Sequence, residues 1–93
     1  KVVDTVKELE SFGVQVDVID PHASPEEIKH EYGYDLVDKP NPKYDGVIVA
    51  VNHSEYENLP ESHFEELVDA DGVFVDLKGI YRGKIKKFLY WSL

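Results

Sequence analysis

Hydrophobic positions in the first dozen residues recur at steps of three and four: Val2, Val3, Val6, Leu9 and Phe12. Asp4, Lys7, Glu8 and Glu10 lie on the other side, so the spacing predicts an amphipathic helix closed by Gly13. The period then changes. Val14-Gln15-Val16-Asp17-Val18-Ile19 is β-branched and partly alternating, which predicts a strand. Asp20-Pro21 ends it, because proline donates no ladder hydrogen bond. Ser24-Pro25-Glu26-Glu27 predicts a helix start, with Ser24 as N-cap, Pro25 opening the helix and Glu27 completing a capping box. Ile28 and Tyr32 would face inward, and Gly33 would stop the helix. Residues 34–45, which contain Pro40, Asn41 and Pro42, read as a loop enclosing a short strand at Asp35-Leu36-Val37.

The most apolar run is Gly46-Val47-Ile48-Val49-Ala50-Val51, and a continuous run of this length predicts a parallel strand covered on both faces. It empties into Asn52-His53-Ser54. A turn through Tyr56, Leu59 and Pro60 leads to a helix near 61–69 that would bury Phe64, Leu67 and Val68. Asp71-Gly72 turns into a strand at 73–77, and Phe88-Leu89-Tyr90-Trp91 reads as a last short strand. Helices and strands alternating at these lengths predict βαβ units with right-handed crossovers. The expected fold is therefore α/β: a Rossmann-like three-layer domain with a mainly parallel sheet. Its first strand would precede Lys1, so the chain reads as a piece of a longer protein.

Composition narrows the class. Ninety-three residues suit one domain with a modest core, and 42% apolar residues make it globular rather than disordered. The absence of cysteine excludes disulfides, thiolate metal sites and thiol nucleophiles within the chain. No apolar run approaches the roughly 18 residues that span a bilayer, and the start is not a signal peptide, so a cytoplasmic protein without a membrane partner is expected. A net charge of −9 argues against nucleic acid as a partner, because most of this surface would repel a phosphate backbone.

The charge is also unevenly placed. All nineteen acidic residues lie at or before Asp76, while five of the ten Lys and Arg residues follow it; the first 76 residues carry −14 and the last 17 carry +5. A cationic, glycine-punctuated loop at a strand's carboxyl end marks an anion site, since ligands of parallel sheets bind there. Lys78 and Arg82 supply charge, Gly79 lets backbone approach a phosphate closely, and Tyr81 offers a hydroxyl or a stacking face. The later lysines, Lys84 to Lys87, read as a solvated basic turn.

Two other strand ends compete. Asp20 stands where a dinucleotide fold keeps its ribose-binding acid, but without a GxGxxG turn it reads as a turn residue whose carboxylate caps nearby amides. His53 ends the central strand and suits a hydrogen-bonding role. His22, His30, His53 and His63 show no metal-ligand spacing, so no metal is expected. Ser54 lacks a nucleophile-elbow context, and the clustered acids of a receiver-type phosphoacceptor are missing.

Taken in order, a helix reading KVVDTVKELESFG, a strand ending VIDP, a short capped helix ending EYG, then YDGVIVAVNHSEYENL and VFVDLKGIY form a recognisable series. Their order and spacing resemble the C-terminal, UDP-binding domain of the UDP-glucose/GDP-mannose dehydrogenase family across essentially the whole chain. The series is most similar to the bacterial branch that oxidises UDP-N-acetylhexosamines for surface polysaccharides. The resemblance implies a parent enzyme with an NAD-binding Rossmann domain, a helical dimerisation region and a catalytic cysteine. That enzyme oxidises the sugar C6 alcohol to a carboxylate through a thiohemiacetal and a thioester. This chain has neither the cysteine nor the NAD glycine motif, so alone it would be inactive, with UDP-sugar and the rest of a homo-oligomeric enzyme as its partners.

Carried onto this sequence, the family's strand-end Asp-x-Arg pattern falls on Asp76, Leu77 and Lys78. Lysine keeps the charge of the nucleotide-contacting arginine but loses bidentate hydrogen bonding. Asp76 and Gly79 would be structural, while Tyr81 and Arg82 rest on their chemistry alone. The other readings are a free-standing nucleotide-binding or regulatory module, and an interaction domain using Phe88, Tyr90 and Trp91. A further expectation is that the missing first strand leaves a long apolar strand edge open in the middle of the sheet, which would pair with neighbouring polypeptide or a second copy.

Overall fold

The amphipathic start forms α1, Val2–Ser11, with Val6 as its buried residue. The computed structural model describes residues 2–33, 35–37 and 43–92, in two compact units, Lys1–Pro40 and Asn41–Leu93. Phe12 does not join the apolar stripe: it sits in the turn after α1 and is 76% exposed. In the same unit, α2 spans Pro25–Tyr32, and the Ser24 side chain accepts from the Glu27 amide as the capping pattern requires. Gly33 closes α2 by donating to the Lys29 carbonyl, although Tyr32 is exposed rather than inward.

Among the described residues, the strand expected at 14–19 is reduced to a single parallel bridge between Val18 and Leu36, closed by the Val37 amide on the Val18 carbonyl at 2.8 Å. β-branched residues favour extended backbone, but a ladder needs a partner of matching length, and the described residues 35–37 supply one bridge. Pro40, Asn41 and Pro42 of the expected loop lie outside the described residues.

The second unit is built on a three-stranded sheet in the order β1-β2-β3, where β1 is Tyr44–Val49, β2 is Val68–Asp76 and β3 is Leu89–Ser92. Both pairings are parallel. Between β1 and β2 lie two short helices, α3 (Ser54–Glu57) and α4 (Glu61–Glu65). The helix expected at 61–69 therefore stops early: Val68 already pairs with Tyr44 as the first residue of β2. Tyr44 pairs with Val68 but Gly46 with Val73, so β2 carries a bulge around residues 69–72. Gly72 makes that bulge possible. A Cβ there would stand 2.3 Å from Val68 Cγ1 and within 3.0 Å of the Asp69 and Asp45 carbonyl oxygens.

Strand periodicity then sorts the side chains. Val47, Val49, Phe74, Asp76 and Tyr90 turn toward the core, which Phe64, Val68, Tyr81 and Phe88 complete. Ile48, Val73, Leu89 and Trp91 are exposed, so the apolar run at 46–51 is covered on one face rather than two. The aromatic run 88–91 does not form one contact surface either, because Phe88 is buried and Tyr90 half-buried while Leu89 and Trp91 are exposed. Alternating helices with an all-parallel sheet make this an α/β fold of the Rossmann-like type.

Candidate functional site

Because all three strands run the same way, their carboxyl ends share one edge, where Val49, Asp76 and Ser92 are register neighbours. The Leu77 amide continues the ladder to the Val49 carbonyl at 3.0 Å, and the chain then leaves the sheet through Lys78 and Gly79. The sequence placed the anion-directed loop here.

Asp76 organises the loop. It has no solvent exposure, and burial alone would raise its pKa. Hydrogen bonds outweigh that penalty: the Tyr90 hydroxyl donates to Oδ2 at 2.6 Å, the Tyr81 amide to Oδ2 at 2.8 Å and the Ile80 amide to Oδ1 at 3.2 Å. With a further contribution from the Gly79 amide, the carboxyl group is held below its ordinary value and stays ionised. Gly79 takes φ +71°, a left-handed conformation that lets the loop curl back over the carboxylate.

Tyr81 pins the loop from below and is 1% exposed. Its ring packs edge-on against Phe64 and Phe74 at centroid distances of 5.4 Å, and Phe64 and Phe74 meet edge-on at 4.8 Å. Its hydroxyl donates to the Tyr56 carbonyl. Burial first, then the negative charge of Asp76 and the proximity of Tyr56, push that hydroxyl up to about 12, so it remains a donor. The structure thus sets Tyr81 within the core, beneath the loop.

Lys78 and Arg82 are exposed on the loop surface. Arg82 Nε donates to the Ser92 hydroxyl at 3.2 Å, tying the loop to the end of β3. Tyr90 links the same groups: burial and its bond to Asp76 raise its pKa, while Ser92 and the charge of Arg82 oppose the rise. Ser92 was not singled out from the sequence, and Tyr90 only as part of an aromatic contact patch with Phe88 and Trp91. Their signal was the alternation of Tyr90 and Ser92 on one face of a strand parallel to β2.

The remaining candidates lie elsewhere. Asp20 Oδ1 accepts from the His22 amide at 2.9 Å, the turn role its setting suggested. His53 is half-buried, precedes α3 and packs its ring against Tyr56 at 5.4 Å. The basic turn is not merely solvated. Glu61 Oε2 accepts from the amides of Lys86 and Lys87 at 2.8 and 2.7 Å, and Lys87 Nζ pairs with Glu65 at 3.1 Å. Lys43 Nζ also donates to the Glu65 carbonyl at 3.0 Å. These acids of α4 hold the far end of the loop.

Chemically, the edge offers two exposed cations on a loop fixed by a buried carboxylate, which suits anion binding. A parallel α/β sheet with such a loop at its carboxyl edge defines a nucleotide-binding type of domain. The chain belongs to the UDP-glucose/GDP-mannose dehydrogenase family, matching that family's UDP binding domain over residues 1–83. It is similar to UDP-N-acetyl-D-glucosamine 6-dehydrogenase of Pseudomonas aeruginosa (47% identity over 84% of the chain) and of Salmonella typhi (33% over 84%). Protein CapL of Staphylococcus aureus is 38% identical over 86% of the chain. The match spans 19% of the length of each of these relatives. No solved structure matches the chain. Among the described residues no helix is long and apolar enough to cross a membrane.

Proposed function

We propose that residues 1–93 are the UDP-sugar-binding domain of a longer, cytoplasmic, homo-oligomeric NAD-dependent nucleotide-sugar 6-dehydrogenase. It converts the C6 alcohol of a UDP-sugar to a uronic acid for surface polysaccharide synthesis. Family membership and the two 6-dehydrogenase relatives support the reaction class. The observation that carries the site is the loop 77–83, with Lys78 and Arg82 exposed at the sheet's carboxyl edge above an ionised, buried Asp76.

In this reading Lys78 and Arg82 meet the diphosphate of UDP. Asp76, Gly79 and Tyr81 fix the backbone that presents them, with Tyr81 acting from beneath the loop. A preformed loop lowers the ordering cost of binding, which is the protein's contribution at this end of the substrate. NAD, which accepts hydride when bound, does not fit these residues. The sequence has no glycine-rich dinucleotide turn, and the loop after β2 runs into further turns rather than a helix whose amides could hold a pyrophosphate. The chain also has no cysteine, so the covalent chemistry belongs to another part of the enzyme.

The test is the intact enzyme assayed with NAD against a panel of UDP- and GDP-sugars. UDP-sugar-dependent reduction of NAD, inhibited competitively by free UDP, is expected; no reduction with any UDP-sugar would overturn the proposal. The isolated 93-residue chain is expected to bind UDP weakly or not at all, and tight stoichiometric binding by calorimetry would contradict a pocket shared with other domains.

A further inference from the structure

Of the hydrogen bonds that reach the Asp76 carboxylate, two come from amides of the loop itself, Ile80 and Tyr81, and one from the Tyr90 hydroxyl on β3. The amides move with the loop, so they do not by themselves set where it sits on the sheet. The phenol does, because its ring is fixed by strand pairing. Tyr90 is the register partner of Phe74, two residues before Asp76 on β2, and the two rings lie 5.9 Å apart. Position 90 is therefore diagonal to position 76 on the same face, a separation that a long aromatic side chain can span. The hydroxyl closes it at 2.6 Å, against 2.8 and 3.2 Å for the loop amides. Burial would raise the Asp76 pKa; among the bonds that lower it, the one from Tyr90 contributes most.

Asp76 Oδ2 accepts from both sides at once, joining the Tyr90 hydroxyl of the sheet to the Tyr81 amide of the loop. Lys78 lies inside the segment that this atom governs. The residues flanking it are tied down, with the Leu77 amide on the Val49 carbonyl at 3.0 Å and the Gly79 amide on the Asp76 carbonyl at 3.3 Å. A carboxylate bonded only to loop amides could turn together with the loop. Bonded to the phenol as well, it fixes the loop against the sheet, since linked hydrogen bonds in a buried setting reinforce one another. Tyr90 lies beyond residues 1–83, which match the family.

We propose that Tyr90 is a positioning residue for nucleotide binding: its hydroxyl locks the Asp76 carboxylate, and through it the backbone that presents Lys78, in the binding geometry. This inference rests on the reading of the loop as the UDP site. It makes β3 part of the binding machinery. It also explains why a tyrosine stands at position 90, because packing on Phe74 needs the ring but not the hydroxyl.

Steady-state kinetics of Tyr90→Phe in the intact enzyme test it, because phenylalanine keeps the ring and removes only the donor. The KM for the UDP-sugar is expected to rise about three- to tenfold, less than the direct loss of a charged contact. The kcat and the KM for NAD should stay within about twofold of wild type. Because Tyr90 acts through the loop, Tyr90→Phe should raise the UDP-sugar KM by a smaller factor in a Lys78→Ala background than in wild type. If Lys78→Ala raises that KM while Tyr90→Phe does not, the positioning role is overturned and the site stands. Equal factors in the two backgrounds overturn it as well, because Tyr90 would then act independently of Lys78. So does a comparable change in kcat or in the KM for NAD, the mark of a general loss of structure. If Lys78→Ala leaves the UDP-sugar KM unchanged, the loop is not the UDP site and the inference falls with it.

Discussion

A carboxylate with no solvent exposure persists in a protein only where donors surround it. Asp76 meets that condition through Tyr90, Tyr81 and Ile80. Asp76→Asn keeps the size but removes the charge, and sets an NH₂ group among the Ile80 and Tyr81 amides, which can only donate. A destabilisation of about 2–4 kcal/mol is expected from urea unfolding. The pH dependence has a definite sign. The folded pKa is lowered, so the unfolded chain binds more protons in the acid range, and stability rises with pH. The contribution is complete above the ordinary carboxylate value, about 4, and is lost as pH falls through the lowered folded value. The gap between wild type and Asp76→Asn should therefore narrow in acid; a constant gap would contradict an ionised Asp76. The position of Asp76 at a strand end was legible, because an apolar run stops on it before Lys78 and Gly79. The burial of Tyr81 was not. Nothing local marks a loop tyrosine as the third ring of a cluster whose other members, Phe64 and Phe74, come from α4 and β2.

Among the elements, the connection from β2 to β3 is the unusual one, since it crosses between parallel strands through turns alone. It is held at its start by Asp76, in its middle by Tyr81 and at its end by Glu61 and Glu65 of α4. That last attachment explains why Lys84–Lys87 read only as a solvated run: the Glu61 and Lys87 contact joins residues 26 apart, which no local pattern shows. The shortening of α4 has a similar cause. Leu67 and Val68 continue a helical spacing, but Val68 is claimed by pairing with Tyr44, and tertiary pairing overrides local preference. The bulge that follows depends on Gly72. Gly72→Ala is expected to cost about 2–3 kcal/mol, because two of the three closest atoms are backbone carbonyl oxygens that cannot swing away. A shift of the urea midpoint at unchanged slope would show it; an unshifted midpoint would mean the bulge yields without cost.

At the scale of the molecule, the order of elements and the parallel sheet were legible from periodicity, since helical spacing and β-branched runs alternate along the chain. The 14–19 strand was over-read because strand propensity reports an extended backbone, not a partner to pair with. Among the described residues β1 is an edge strand of the sheet, flanked by β2 on one side only. With Ile48 exposed, that edge invites pairing with another chain. The isolated chain is expected to associate as concentration rises in sedimentation velocity, and Ile48→Lys to weaken that association. A monodisperse monomer across the range would contradict an open edge.

On the function proposed above, the loop at the carboxyl end of β2 holds the nucleotide end of the substrate. Steady-state kinetics of Lys78→Ala in the intact enzyme test it most directly. Loss of one charged contact should raise the KM for the UDP-sugar about tenfold or more while leaving the KM for NAD within about twofold. An unchanged KM for the UDP-sugar would remove Lys78 from the site and contradict nucleotide binding by this loop.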